Sequence, residues 1–257
     1  MVDILCKTSD KLTETAIMRL QEFCPPEGYY LAFSGGKDSM VIYELAKRAG
    51  VDFDAHFNMT TVDPPEVLHF IRDYYPDVTF ERPEKSMWRL VVDHHCPPTR
   101  LARYCCEELK EAHGGGRTLI TGIRWQESAG RKKRKMVEFC MKGKDKTFVH
   151  PIIDWSSEDV WNFIYQYKLP YCKLYDEGFK RIGCVLCPMA STKQRRWEIQ
   201  RWPGFYKAYM RCFEKMLEHR KELGLETTWQ TPEEVMDWWI NETPKPDENQ
   251  LLFSMFE

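Results

Sequence analysis

The stretch from Tyr29 to Ser39, YYLAFSGGKDS, constrains the fold more than any other part of the chain. Its apolar first half is typical of a buried strand, which the glycines Gly35 and Gly36 end. The next residues repeat at helical spacing as far as Gly50, so the stretch predicts a strand, a tight turn and a helix N-terminus. Because backbone N–H groups and the helix dipole at such a turn favour anions, we predict a phosphate-binding loop. A glycine turn without a ligand is the alternative interpretation.

The side chains of this turn add to the predicted anion site. Lys37 supplies a positive charge, and Ser34 and Ser39 supply hydroxyl groups. Asp38 is either a ligand for Mg²⁺ or the cap of the following helix. The spacing is too short for the GxxxxGKS/T nucleotide loop. The hexapeptide SGGKDS instead resembles the PP-loop, SGGxDS, of the N-type ATP pyrophosphatases and the sulfonucleotide reductases.

Alternating strand and helix patterns follow the loop. Strand-like runs near residues 51–59, 78–81 and 118–123 are separated by helix-like segments. They predict an α/β fold with a parallel twisted sheet and helices on both faces, and the resemblance implies the HUP, adenine nucleotide alpha-hydrolase-like, version of it. Ligands of such sheets bind at the carboxyl ends of strands. This places Asp63 either at a ribose or metal ion, or at the cap of a helix that begins near Pro64.

The chain divides by pattern into an N-terminal helix in residues 1–27, a nucleotide-binding α/β domain in residues 28–190 and a mainly helical region with a tail in residues 191–257. The N-terminal helix is expected over residues 9–24. Further helices are expected from Thr99 to Glu111, near residues 191–222 and near residues 231–241. A small strand pair is expected within residues 136–149.

The cysteine usage points to metal or redox chemistry. No apolar run approaches the ~20 residues that span a bilayer, and the N-terminus lacks a signal-peptide pattern, so we expect a cytoplasmic protein without membrane contact. Ten cysteines are many for that compartment, where disulfides do not persist. Cys105-Cys106 and the CxxC formed by Cys184 and Cys187 make two thiol pairs. They suit zinc or an iron–sulfur cluster, and four ordinary buried thiols are the third interpretation.

This cysteine pattern resembles the [4Fe-4S] pattern of the adenylylsulfate reductases, and the resemblance covers roughly residues 28–212. Matching segments are TGIR at 121–124, HPIIDW at 150–155, EDVW at 158–161, LPY at 169–171, LYDEGF at 174–179 and IGC at 182–184. The resemblance implies an adenine nucleotide, ATP or (phospho)adenylylsulfate, bound next to a [4Fe-4S] cluster, with Mg²⁺ accompanying ATP. The implied nucleotide-site residues are Ser34, Gly35, Gly36, Lys37, Asp38, Ser39, Asp63, Gly122, Arg124 and Arg131, with Lys37 and Asp38 catalytic. The implied cluster ligands are Cys105, Cys106, Cys184 and Cys187.

One feature departs from the family. Its reductases carry a nucleophilic cysteine in a Glu-Cys-Gly-(Leu/Ile)-His motif near the C-terminus, and the sequence contains no such motif. Cys212, Cys172, Cys140 or Cys96 could take over the role, although each is more often a buried or incidental thiol. The leading hypothesis is therefore an ATP pyrophosphatase that adenylates an acceptor for sulfur transfer. The alternatives are a sulfonucleotide reductase with a displaced thiol and a nucleotide sensor without turnover.

The remaining expectations concern partners. The net charge of −2 excludes a globally basic protein, so any nucleic-acid acceptor would bind through local basic loops such as residues 132–135. Sulfur transfer calls for a sulfur donor protein or a reductant. The resemblance extends to standalone cluster-bearing PP-loop proteins of phage and defence-type gene neighbourhoods. The tail at residues 250–256 either docks a partner or folds back on the core.

Overall fold

Strand β1, which precedes the glycine turn, lies inside a mostly parallel sheet of the computed structural model, which describes residues 2–140 and 145–241. The strand order is β3-β2-β1-β4-β6-β5, and only β5 runs antiparallel to its neighbour β6. The strands are β1 (Tyr29–Ala32), β2 (Phe53–Asn58), β3 (Thr79–Glu81), β4 (Thr118–Ile120), β5 (Val137–Phe139) and β6 (Thr147–Val149). The predicted α/β class is therefore confirmed, including the small strand pair β5–β6.

The order of the strands reverses between β1 and β4, which pair with each other in parallel. In an open α/β sheet such a reversal opens a crevice at the carboxyl ends of the two strands, and ligands bind there. The glycine turn follows β1, and Gly122 and Arg124 follow β4. The topology therefore brings the turn and these two residues to the same edge of the sheet.

The helices divide between two compact units, each described by itself. The helices are α1 (Val2–Glu22), α2 (Lys37–Ala49), α3 (Pro65–Tyr74), α4 (Met87–Asp93), α5 (Tyr104–Leu109), α6 (Ser157–Gln166), α7 (Thr192–Arg201), α8 (Pro203–Glu222) and α9 (Pro232–Asn241). The loop unit comprises residues up to 59, 64–82 and 112–183, and contains the sheet with α1, α2, α3 and α6. The cysteine unit comprises residues 60–63, 83–111 and 184 onward. The sequence-based division at residues 27/28 and 190/191 stays a prediction.

The core of the cysteine unit is aromatic. The ring of Tyr209 lies 4.8 Å from the rings of Trp88 and Trp239, and Phe213 packs edge-on against Trp239 at 5.6 Å. The indole N–H of Trp239 donates to the carbonyl of Pro98 at 2.7 Å. Helices α4, α8 and α9 are thereby joined to the segment that leads into α5.

Three predicted helices differ from the structure. The N-terminal helix begins at Val2, earlier than expected. The helix expected from Thr99 begins only at Tyr104, because the Thr99 hydroxyl accepts from the backbone N–H groups of residues 101 and 102 and holds a turn there. The helix expected near residues 191–222 is two helices, since Pro203 ends α7 and opens α8.

No helix of the described residues has both the length and the apolar character needed to cross a bilayer. The tail at residues 250–256, for which docking or folding back was predicted, lies outside the described residues, as does the turn at 141–144 between β5 and β6.

Candidate functional site

Two glycines shape the turn after β1 in different ways. Gly35 has a φ of +68°, and a Cβ there would lie 2.9 Å from Val67 Cγ1 and 3.0 Å from Ile71 Cδ1. Only glycine fits this position without strain. Gly36 has an ordinary φ of −87° and forms the N-cap of α2. A Cβ at Gly36 would lie 3.4–3.5 Å from two hydroxyl oxygens, so packing does not require glycine there. The advantage of glycine at this position is that a ligand can approach the backbone closely.

Hydroxyl groups close the turn onto itself. Ser39 Oγ donates to the Gly36 carbonyl at 2.8 Å and accepts from the Ser34 amide at 3.2 Å. The two serine hydroxyls lie 3.1 Å apart. The backbone of the turn is therefore ordered by the protein's own side chains, and its amides lie at the N-terminus of α2, where the helix dipole attracts anions.

A buried ion network lies beside the turn. Asp38 Oδ2 accepts from Lys37 Nζ at 3.0 Å, and Asp38 Oδ1 accepts from Arg124 Nε at 2.7 Å. Arg124 is only 1% exposed, and its guanidinium also donates to the Trp155 carbonyl at 3.3 Å and Ser157 Oγ at 3.4 Å. Asp38 thus orients two cations. The N-cap of α2 is Gly36, without a side-chain cap hydrogen bond, so the interpretation of Asp38 as the helix cap is wrong.

The ion network depends on a close approach between the end of β4 and the first turn of α2. A Cβ at Gly122 would lie 2.7 Å from Asp38 Cβ and 2.9 Å from the Asp38 carbonyl carbon. Because part of that contact is backbone, a larger residue could not be accommodated by a side-chain rotation. The structure thus brings Gly122, Arg124 and the turn together, as predicted. Arg131 instead forms an ion pair with Glu127 in the loop that follows β4.

Sequence reasoning assigned no role to Tyr175, although it lies in the LYDEGF segment. Its hydroxyl accepts from the Lys37 amide at 2.8 Å, which is the first N–H of α2. Burial raises the pKa of Tyr175 well above its usual value, so the hydroxyl stays protonated. Tyr175 therefore positions the start of α2 from a segment far along the chain.

The four predicted cluster ligands lie together in the cysteine unit. Cys105 and Cys106 lie on α5, and Cys184 and Cys187 lie in a turn in which the Cys187 amide donates to the Cys184 carbonyl at 3.3 Å. Cys105 interacts electrostatically with the other three thiols. Arg100 donates to the carbonyls of Pro188 and Ala190, which joins the segment before α5 to this turn.

Two basic side chains, Arg103 and Lys110, lie near these thiols. A hydrogen bond from Cys105 lowers the pKa of Cys106, and Arg103, whose Nη2 lies 3.5 Å from Cys106 Sγ, lowers it further. Burial raises the pKa of Cys184, whose thiol donates to Thr60 Oγ1 at 3.4 Å. Lys110 opposes that rise. The site therefore favours thiolate at some positions and thiol at others.

Lys110 is a second residue that sequence reasoning missed. The residue is exposed, and its ammonium group interacts with Cys184 above all, followed by Asp63, Cys106 and Cys187, which raise its pKa. The sequence spacing could have indicated this residue, because Lys110 follows Cys106 by four positions, which is about one helical turn. A permanent cation among thiols would balance the negative charge of thiolates or of a group bound to them.

Asp63, predicted at the nucleotide site, belongs to the cysteine unit. Its carboxylate accepts from the amide and the hydroxyl of Thr60, at 2.6 and 2.8 Å, and burial raises its pKa. Helix α3 has Pro64 at its N-cap without a side-chain cap hydrogen bond, so the capping interpretation of Asp63 is wrong. Asp63 closes the turn that precedes α3, beside the cysteines.

Within residues 2–140 and 145–241, no group of three or more His, Cys, Asp or Glu side chains is arranged to hold a metal ion. The four thiols are grouped without being closed around one ion. Their donor set is entirely sulfur, which fits an iron–sulfur group in its chemistry.

Three of the described thiols outside the group of four are shielded. Burial raises the pKa of Cys96 to about 11 and that of Cys212 to about 12, and it also raises the pKa of Cys172. Cys212 Sγ donates to the Trp88 carbonyl at 3.3 Å. Since the thiolate is the nucleophile, these three cysteines are poorly suited to replace a catalytic thiol.

Comparisons with known proteins agree with this geometry. The model of the phosphoadenosine phosphosulfate reductase domain matches residues 28–190. An uncharacterized protein of Methanocaldococcus jannaschii is 34% identical over 171 residues, which are 62% of this chain and 35% of that protein. A second one from the same organism is 30% identical over 73% of this chain and 50% of its own length. The chain thus spans between a third and a half of these two relatives.

Reductases also appear among the similar proteins. The adenosine 5'-phosphosulfate reductase of Oceanobacillus iheyensis is 28% identical over 68% of this chain and 78% of its own length. The crystal structure of phosphoadenylyl-sulfate reductase from Candida auris superposes with a TM-score of 0.51 at 20% identity, over 68% of this chain and 93% of that one. Candida glabrata FMN adenylyltransferase, with FMN and an ATP analogue, gives a TM-score of 0.51 at 16% identity, over 76% of this chain and 74% of that one. The two superpositions show a shared fold.

Proposed function

The chain belongs to the phosphoadenosine phosphosulfate reductase domain family, and from that membership we propose that it is an enzyme that binds an adenine nucleotide at the turn 34–39. We further propose that it splits ATP into AMP and pyrophosphate to adenylate an acceptor for sulfur transfer. The observation that carries the proposal is the ion network, in which Asp38 holds Lys37 and the buried Arg124 beside the amides of a helix N-terminus. Such an arrangement favours a polyphosphate.

The chemistry is a nucleotidyl transfer. An acceptor oxygen attacks the α-phosphorus of ATP, the bond from that phosphorus to the bridging oxygen breaks, and pyrophosphate leaves with Mg²⁺. Lys37 and the amides of the turn stabilise the charge that accumulates on pyrophosphate. Asp38 fixes Lys37 and Arg124 in place. A sulfur nucleophile from a donor protein then displaces AMP, which leaves sulfur bonded to the acceptor atom.

In the cysteine unit, we assign Cys105, Cys106, Cys184 and Cys187 as ligands of a [4Fe-4S] cluster. The grouping of the four thiols and the cation of Lys110 near three of them support this assignment. When bound, the cluster would supply a site that binds or delivers sulfide. That nucleotide and cluster lie next to each other stays a prediction from the sequence.

Sulfonucleotide reduction is the second candidate, because several similar proteins bear the name adenosine 5'-phosphosulfate reductase. It requires a thiolate that attacks the sulfonate sulfur. The raised pKa values of Cys96, Cys172 and Cys212 weigh against each of these thiols in that role. Cys140, a half-buried thiol, stays a candidate for that role. Because the sequence contains no counterpart of the reductases' cysteine motif, we place the pyrophosphatase first. A nucleotide sensor without turnover is the third candidate.

Product analysis separates the three candidates. We expect Mg²⁺-dependent release of AMP and pyrophosphate from ATP, and loss of that release in Lys37→Ala. Lys47→Ala is the matched control, since Lys47 is an exposed lysine near the end of the same helix. Sulfite from adenylylsulfate or its 3'-phosphate in the presence of a reductant would instead establish the reductase. Stoichiometric ATP binding without any product would support the third candidate, the nucleotide sensor.

A further inference from the structure

An aromatic cavity of about 480 Å³ lies in the loop unit. Its walls include Trp161, Tyr165, Tyr171 and Tyr175, together with Lys37 and Lys180. The volume falls within the roughly 300–1,000 Å³ typical of small-ligand pockets. We infer that this aromatic cavity is the acceptor subsite and that it binds an unpaired nucleobase. The inference rests on the proposed function and specifies its substrate class.

The rings of the cavity are arranged to receive another flat ring. Tyr165 stacks on Trp161 with ring centroids 5.6 Å apart and an angle of 22° between the planes. Tyr171 and Tyr175 meet Trp161 edge-on, at 5.3 and 5.0 Å. Tyr165 is 61% exposed, so much of its side chain is accessible to a ligand. A base stacked on Tyr165 would extend a stack that the protein has already begun.

Tyr175 connects this cavity to the phosphate-binding turn. Its ring packs against Trp161, and its hydroxyl accepts from the Lys37 amide at 2.8 Å. Lys37 itself forms part of the cavity wall. A ring held in the cavity would therefore lie beside the residue that faces the nucleotide's phosphates in the proposed reaction. The cavity thus lies next to the turn that the proposed function assigns to the nucleotide.

A second cavity of about 510 Å³ adjoins the first through the start of α6. It is lined by Trp125, Gln126 and Lys132, and Gln126 Oε1 accepts from the amide of Ser157, which lines the aromatic cavity. Lys132 continues into the exposed lysines 133 and 135. A basic strip beside a stacking site fits a polymer with phosphates between its bases, so a single-stranded nucleic acid is the favoured source of the base.

The test measures binding without ATP, so that its outcome does not depend on turnover. A fluorescently labelled twelve-nucleotide oligothymidylate is titrated with the wild type and with Tyr165→Ala, and anisotropy reports affinity. We expect Tyr165→Ala to weaken binding about tenfold or more, as is usual for loss of a stacking aromatic ring, and Tyr165→Phe to restore it. The control is Tyr74→Ala, since Tyr74 is a 59% exposed tyrosine on α3 of the same unit.

Two further probes identify the source of the base. An abasic oligomer of equal length keeps the phosphates, and we expect it to bind more weakly than oligothymidylate and to be insensitive to Tyr165→Ala. If free thymidine matches the oligomer in affinity and loses it in Tyr165→Ala, the cavity takes a free nucleoside. Equal binding of the two oligomers, or no effect of Tyr165→Ala on any probe, overturns the inference. Failure of the proposed function would instead appear as intact ATP in the product assay.

Discussion

In the loop unit the buried guanidinium of Arg124 meets the carboxylate of Asp38, whereas in the cysteine unit the exposed residue Lys110 has its ammonium group near thiols and near Asp63, whose pKa is raised by burial. The first site pairs a buried cation with a carboxylate at hydrogen-bond distance. The second places a cation near several thiols and a carboxylate, so its charge depends on the protonation of sulfur. The glycine turn is therefore ordered by a carboxylate that holds two cations, whereas the charge of the cysteine site would change with any group bound to its thiols.

The strongest test of this comparison is the iron content of the cysteine site. We expect anaerobically purified protein to carry about four iron atoms per chain with an absorbance near 400 nm, and Cys184→Ser to reduce both to background. Cys212→Ser is the control, because Cys212 is a buried cysteine of the same unit outside the group of four. Zinc bound by four sulfurs without iron would overturn the cluster assignment.

Removal of Arg124 probes the ion network of the loop unit. Arg124→Ala leaves Lys37 as the cation partner of the Asp38 carboxylate, so we expect a loss of up to the about 3–5 kcal/mol that removal of one partner from a buried pair costs. Urea unfolding measures the difference from the wild type. Arg19→Ala is the matched control, because the Arg19–Asp154 pair is more exposed, and its loss should cost about 1 kcal/mol or less. If both variants lose the same free energy of unfolding, burial does not make the Arg124 pair more important for stability than the Arg19 pair.

His150 is a titratable residue of the loop unit that is buried in its neutral form. It is fully buried, and desolvation lowers its pKa to about 4, with Arg134 contributing. The unfolded chain takes up a proton below pH 6.5, whereas the folded chain takes it up only near pH 4. Stability is therefore fully present above pH 6.5 and is lost as the pH falls from 6.5 towards 4.

The expected size of this loss is about 2 kcal/mol between pH 7 and pH 5, measured by urea unfolding at the two values. In His150→Asn this part of the pH dependence should disappear, while the variant of an exposed histidine, His69→Asn, should retain it. A wild type with the same pH dependence as His150→Asn would mean that His150 does not stay neutral in the fold.

The smallest expected changes in stability come from alanine substitutions of the two glycines of the turn. Gly35→Ala forces a side chain into a φ of +68° and against Val67, so we expect a loss of about 1–2 kcal/mol in stability. Gly36→Ala keeps an allowed φ and should change stability by less than about 0.5 kcal/mol. Nucleotide binding should nevertheless weaken in Gly36→Ala, because the methyl group hinders approach to the amides. Calorimetric ATP titration measures it, and unchanged affinity would argue against phosphate binding at this turn.

Much of the loop unit followed from local sequence. The strand, the glycine turn and the helix are set by residues within about ten positions of one another, where hydrogen bonding and backbone freedom act directly. Local side chains also cap helices in both units, since the hydroxyls of Ser86 and Ser156 accept from backbone N–H groups in the first turns of α4 and α6. Helix boundaries failed where a side chain altered the backbone locally, as Thr99 does before α5.

The sequence by itself determined the α/β class, the glycine turn after β1 and the two cysteine pairs, because short-range patterns encode strands, turns and pairs of thiols. Only the tertiary structure decided that Asp38 joins Lys37 to Arg124 instead of capping α2, that Tyr175 holds the Lys37 amide, and that a lysine lies among the four thiols. Most of these contacts link residues far apart in the chain. Their strength depends on burial, which lowers the local dielectric and strengthens each charge interaction, and no pattern of neighbouring residues records it.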